Sequence, residues 1–128
     1  MNRSQFEIYI TDNYGVLPES PWVKTPEFRV FRHEKNKKWF ALTMNIPYSK
    51  LGLNKEGTAD VVNLKCDPIM AGTVKDGQTV FSAYHMNKEK WITVLLDGSA
   101  DRETLLILLA ISFDLTGVNL GKAKRVKK

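Results

Sequence analysis

Apolar residues recur at helical spacing at both ends of this chain and at period two between them. Phe6, Tyr9 and Ile10 make a stripe that predicts a helix from about Arg3 to Tyr14, with Ser4 and Glu7 at capping-box spacing and Gly15 as its stop. Pro18, Pro21 and Pro26 keep the next stretch extended, with Trp22 among them. Phe28 to His33 and Trp39 to Ile46 read as strands around the polar turn 34–38. In the second of them Phe40, Leu42, Met44 and Ile46 fall on one face, a half-buried sheet pattern. Pro47 ends that strand, and residues 48–59 read as loop. Val61 to Cys66 is a third strand, with Val62, Leu64 and Cys66 on one face and Asn63 and Lys65 on the other. Asp67-Pro68 opens a short helix, Asp76-Gly77 turns the chain, and Thr79 to Tyr84 with Trp91 to Leu96 form a second hairpin. The last helix is capped by Ser99, complemented at its start by Asp101 and Glu103, and stopped by Gly117. Eight of its eleven residues from Leu105 to Leu115 are Leu, Ile or Phe. Burial on more than one side is therefore expected, against the sheet and either the first helix or a second copy of the chain.

Helix, strands, short helix, strands, helix, with hairpin-length connections, is the order of an α+β fold: an antiparallel β-sheet with helices packed on one face. At 128 residues, 43% hydrophobic and 26% charged, the chain suits one globular domain with a modest core. The domain is expected over 1–121, with 122–128 a basic tail. Charge changes this picture less than the net value of +5 suggests. Lys122, Lys124, Arg125, Lys127 and Lys128 supply all of it, leaving 14 basic and 14 acidic residues in 1–121. Such a tail is either a solvated, disordered end or a nucleic-acid contact. The single Cys66 allows no internal disulfide and suits a reducing cytoplasm. Met1-Asn2-Arg3-Ser4 leads into an amphipathic segment, which argues against a signal peptide, and no apolar run is long enough for a bilayer.

No residue set nominates a reaction. Cys66 shares its strand face with Val62 and Leu64 and reads as a small buried hydrophobe, not a nucleophile. Neither a Gly-x-Ser-x-Gly elbow nor a glycine-rich phosphate loop is present. Asp60, Asp67 and Asp97 lie beside turns or helix starts, where capping is the commoner role. His33 and His85 sit at the shoulders of the two hairpins and would meet only if the hairpins were adjacent, so neither metal nor cofactor is expected.

The hairpins carry the stronger signal. Arg29, Arg32, Lys35, Lys37 and Lys38 stand against Glu34 alone in the first, and Lys88 and Lys90 against Glu89 in the second. His85 and Asn87 can hydrogen-bond phosphate or base edges, and Trp39, Tyr84 and Trp91 can support or stack. Solvated turns are the plain alternative, since lysine there also discourages edge-to-edge pairing. Trp91, first residue of an apolar strand, is either an exposed contact or a core anchor.

Tyr84-His85-Met86-Asn87-Lys88, then Trp91-Ile92-Thr93-Val94 and Leu96-Asp97-Gly98, make a signature. Val62 to Pro68, Trp39 to Leu42 and Val30 to His33 add to it in order. From the first helix to Gly117 the chain resembles the MmcQ/YjbR family of small bacterial proteins. The resemblance implies a CyaY-like α+β domain, a bacterial cytoplasmic setting, and DNA binding of the kind proposed for the family through two wing-like hairpins; no enzymatic activity or cofactor comes with it. Members commonly carry histidine before the tryptophan, where this chain has Lys90. A cation contact to DNA survives that change, whereas a catalytic or metal-binding histidine would not. The usual proline after Leu-Asp-Gly-Ser is replaced by Ala100-Asp101.

The expectation is a non-enzymatic domain that meets double-stranded DNA mainly through phosphates, using Arg29, Arg32, Lys35, Lys37, Lys38, Lys88 and Lys90, with His85, Asn87 and Trp91 shaping the second wing. The alternative is a protein- or small-anion-binding module whose Trp22, Trp39, Tyr84 and Trp91 line a concave surface. Oligomeric state is left open.

Overall fold

The computed structural model describes residues 1–117; the basic tail lies outside the described residues. Three helices and five strands follow one another as α1 (Arg3–Tyr14), β1 (Arg29–Arg32), β2 (Trp39–Pro47), β3 (Thr58–Lys65), α2 (Pro68–Val74), β4 (Val80–Ser82), β5 (Trp91–Leu95) and α3 (Arg102–Thr116). The strands form one antiparallel sheet in the order β1-β2-β3-β5-β4. Phe6 and Ile10 of α1, Ala71 of α2 and Leu105, Leu108 and Leu109 of α3 share one buried cluster with Val62, Leu64, Ile92 and Val94. All three helices therefore cover the same face of the sheet.

The caps differ in detail from expectation. Asn2, not Ser4, closes α1 in a capping box with Gln5, and Asp101, not Ser99, caps α3 through Thr104. Ser4 already lies inside the first turn of α1, and Ser99 lies two residues short of the capping position of α3. Residues 48–51 make a 3-10 turn inside the expected loop, ended by Gly52 at φ 80°. Only a residue tolerant of the left-handed region fits there.

The period-two reading of β2 fails at one residue. Register between β1 and β2 passes from Phe31↔Ala41 to Arg32↔Trp39, so Phe40 is an extra residue in a β-bulge. Phe40 consequently joins the helix-covered core, while Leu42, Met44 and Ile46 join a second cluster on the opposite face. The bulge ends regular β2–β3 pairing at Ala41↔Leu64. Beyond it the Ser112 hydroxyl, fully buried on α3, accepts from the Lys65 N–H (2.8 Å) and donates to the Phe40 carbonyl (2.6 Å). One serine in an apolar helix thus replaces a missing sheet bond, because buried backbone groups need partners.

α3 lies beside α1, with the Tyr14 and Phe113 rings 4.8 Å apart. Burial on more than one side holds only in part: Ile107 and Leu115 stay 58% and 47% exposed. The helix-free face is also apolar. Val30, Leu42, Met44, Ile46, Val61, Phe81 and Leu95 lie on it under a partial cover that includes Phe28, Trp39, Tyr48, Tyr84 and Met86. At the β1 edge, Glu19 and Val30 exchange two backbone hydrogen bonds of 2.9 and 2.8 Å, so the proline-rich segment closes that edge.

Candidate functional site: two lysine turns and the clefts between them

Both hairpin turns lie at one end of the sheet, where Arg32, Trp39, Lys65, Trp91 and Ser82 mark the strand ends. β3 separates the hairpins, so their centres are about 14 Å apart at ordinary strand spacing.

The first turn is tight. His33 N–H bonds the Lys38 carbonyl (2.9 Å), Lys37 N–H bonds the His33 carbonyl (3.0 Å), and Lys37 takes φ 62°. Asn36 and His33 tie it to the end of α3: Asn36 Nδ2 donates to the Thr116 carbonyl (2.8 Å), and His33 Nε2 lies 2.9 Å from both the Phe113 carbonyl and Thr116 Oγ1. The His33 ring stacks on Phe113 at 4.2 Å. Burial pushes the imidazole below its usual pKa, only partly offset by the Phe113 carbonyl and Asp114. His33 is therefore a neutral clamp between turn and helix.

Lys35, Lys37 and Lys38 are exposed. Arg29 and Arg32 are occupied. Arg29 Nη1 lies 2.6 Å from Glu7 on α1, a buried carboxylate that also accepts from Arg3 (3.0 Å) and the Thr43 hydroxyl (2.6 Å). The Arg3 guanidinium, in turn, donates to the Glu27 carbonyl. Arg32 grips Glu19 with two bonds of 2.7 Å. The local charge excess of the sequence is thus smaller in space, because its counter-ions come from α1 and the proline-rich segment.

The second connector begins over the sheet instead of projecting from it. Asn63, fully buried on β3, donates to the Tyr84 carbonyl (2.8 Å) and accepts from the Thr93 hydroxyl (2.5 Å), which accepts from the Tyr84 N–H (3.0 Å). This ring of bonds fixes Tyr84 against the helix-free face. His85 follows at φ 63°, a left-handed conformation that costs a non-glycine residue about 1 kcal/mol or more. Its ring lies 3.8 Å from that of Tyr84. Asn87 then builds the turn: its side chain accepts from the Glu89 N–H (2.8 Å) and its carbonyl from the Lys90 and Trp91 N–H groups. Lys88 and Lys90 are exposed on that turn. Trp91 is half-buried, with Lys65 Nζ 5.9 Å from its ring centre. It is neither a free contact nor a core residue.

Two clefts open on the helix-free side. A cleft of about 590 Å³ runs beside β4, with Lys50, Lys75, Lys88 and His85 on its walls. A second, of about 330 Å³, lies between Trp22, Phe28, Trp39 and Met86, and His85 borders this one as well. Trp22 stands edge-on to Phe28 (6.2 Å) and to Trp39 (5.5 Å). Of the four aromatics expected to line one surface, Trp22 and Trp39 share a cleft, Tyr84 lines its neighbour and Trp91 lines neither. His33 and His85 face opposite sides of the sheet. Lys50 and Lys75 escaped sequence reasoning, because they sit in separate segments with no pattern of their own.

These features define a class: a small α+β domain with a five-stranded antiparallel sheet, one face under three helices, the other with open clefts, and lysine-rich turns at one end of the sheet. The YjbR family model matches residues 12–115, and the chain belongs to that family. It is 36% identical over 116 residues to the uncharacterized protein YyaQ of Bacillus subtilis strain 168, covering 91% of this chain and 98% of that one. A crystal structure of a Pseudomonas syringae protein superposes with a TM-score of 0.88 at 44% identity, covering 91% of this chain and all of the other. A Deinococcus radiodurans protein superposes at 0.59 with 28% identity, over 78% and 67% of the two chains. Among the described residues no helix is long and apolar enough to cross a membrane.

Proposed function

We propose that the domain binds double-stranded DNA through its phosphates, with Lys35, Lys37 and Lys38 on one turn and Lys88 and Lys90 on the other. The observation that carries this reading is the placement of five exposed lysines on two turns at one end of a single sheet. Their separation of about 14 Å is close to the width of a major groove, about 12 Å. Arg29 and Arg32 are held in ion pairs with Glu7 and Glu19 and are left out of the contact set, while Asn87 shapes the second turn. The binding is weak in sequence preference, because phosphate contacts carry no base information. A cytoplasmic setting and the CyaY-like label belong to the same reading.

The test is fluorescence anisotropy of a random duplex with the full chain, a truncation after Gly121 and a Lys35→Glu/Lys37→Glu/Lys38→Glu variant. Five phosphate contacts give a slope of log K against log salt of about −4.5, and the reversal leaves about −2 or less. Binding that survives truncation but fails in the reversal supports the turns. Binding abolished by truncation alone belongs to the tail and refutes the reading.

A second reading, a small-anion-binding module, is favoured by one observation: three lysines line the larger cleft, and among the described residues no Asp or Glu does.

A further inference from the structure

The two clefts differ in chemistry and share a wall. The larger presents Lys50 from the 3-10 turn, Lys75 from the end of α2 and Lys88 from the second connector, with Ser49 and Ser82 also on its walls. Lys75 Nζ lies 3.4 Å from Ser82 Oγ, so this ammonium points along the cleft wall beside the exposed side of β4. Three cations gathered from three segments, without a lining carboxylate, are an electrostatic arrangement that an anion relieves. Two acids adjoin these lysines in sequence, Asp76 after Lys75 and Glu89 after Lys88, and neither lines the cleft; Asp76 is engaged by its own turn. Burial pushes its carboxyl up, but N–H bonds from Val80, Thr79 and Gln78 and the Thr79 hydroxyl outweigh this and hold it well below the usual carboxylate range.

The smaller cleft has the opposite character. Its walls are Trp22, Phe28, Trp39 and Met86, over a floor of Leu42 and Met44. Trp22 stands edge-on to Trp39 (88°), so the edge of one indole covers a face of the other, and a planar group has the remaining aromatic surface of the cleft to lie against. Both volumes fall within the range of small-molecule sites, about 300–1,000 Å³. His85 borders both clefts, so a ligand can lie across this residue with a charged end on one side and a flat end on the other. The left-handed backbone at His85 is the kind of local strain that a binding site retains, and the Asn63–Thr93–Tyr84 bonds hold it in place.

We propose that the paired clefts form one site for a phosphorylated aromatic small molecule of the nucleoside monophosphate class, with phosphate among Lys50, Lys75 and Lys88, the ring in the cleft walled by Trp22, Phe28, Trp39 and Met86, and His85 bridging the two. The proposal deepens the small-anion reading and rests on it; it does not depend on duplex binding. Charge selects the phosphate end, and stacking on sequence-tolerant aromatic faces contributes at the ring end, so different bases bind alike.

The experiment is a calorimetric titration of the full chain with adenosine 5′-monophosphate, inorganic phosphate and adenosine, together with NMR shifts of the tryptophan indole N–H groups. Adenosine monophosphate is expected to bind at least about tenfold more tightly than either fragment, and to move the Trp22 and Trp39 signals. Trp22→Ala, a substitution at the surface, should bring its affinity down to that of phosphate. Lys50→Glu/Lys75→Glu should lower it by about tenfold or more, and Lys35→Glu/Lys37→Glu/Lys38→Glu should leave it unchanged. Equal affinity for the nucleotide and for phosphate overturns the coupled site while the anion cleft stands. No binding of either overturns the small-anion reading as well, and nucleotide binding indifferent to both cleft variants overturns the assignment to these clefts.

Discussion

Replacing Ser112 by alanine removes one oxygen atom from the interior and should cost several times more than a typical surface substitution. The hydroxyl is fully buried, accepts from Lys65 N–H at 2.8 Å and donates to the Phe40 carbonyl at 2.6 Å. Three effects compete. Alanine is the better helix former, by about 0.5 kcal/mol. The volume lost is a single atom, so the cavity contribution is small. Against these stand two backbone groups left without partners where water cannot reach, at about 1–3 kcal/mol each. The orphaned groups win, and a net loss of about 2–4 kcal/mol is expected. With a urea m-value of about 1–3 kcal/mol/M, the midpoint should fall by about 1–2 M at unchanged slope. Tryptophan fluorescence follows the transition. Ser112→Thr keeps the hydroxyl and should retain much of the stability. A midpoint for Ser112→Ala within about 0.2 M of the parent would refute the claim that this hydroxyl replaces sheet pairing at the bulge.

Glu7→Ala should destabilise by about 3 kcal/mol in the same assay, because it strips a buried carboxylate from Arg3, whereas Arg29→Ala on the half-exposed side should cost under about 1 kcal/mol; equal losses would contradict this ordering. Stability should also fall on mild acidification through His33. Its folded pKa lies below the unfolded value near 6.5, so the unfolded chain takes the proton first. The contribution is complete above that value and is lost as pH drops through the folded pKa. Denaturation midpoints at pH 7.5 and 5 should therefore converge for His33→Gln more than for the parent, and an identical pH dependence would remove His33 from the account.

Much of the fold could be read from local pattern. α1, the strands flanking each turn and the body of α3 follow directly from periods of 3.6 and 2. What escaped depended on partners distant in sequence. Phe40 has the right spacing for the face of Leu42 and Met44, and only pairing with Phe31 and Arg32 exposes the bulge that moves it. Ser112 looks like an interruption in an apolar helix until the bulge gives it two backbone partners. Arg29 and Arg32 look like free charge because Glu7 and Glu19 lie 22 and 13 residues earlier. For the candidate site, the lysines on the turns were visible as clusters. The cleft was not, since Lys50 and Lys75 approach Lys88 only after β4 has been laid at the sheet edge.

The closure of one sheet edge has a consequence for self-association. Glu19 uses the outward-facing backbone groups of Val30, so a visiting strand finds no ladder to extend beside β1. The opposite edge offers only the three residues of β4, with Lys75 and Lys88 beside it. An incoming copy would have to bring its own matching lysines against them, and like charges repel it before hydrogen bonds can form. The same cations that suit the cleft to an anion therefore also protect a short, exposed strand from templating aggregates.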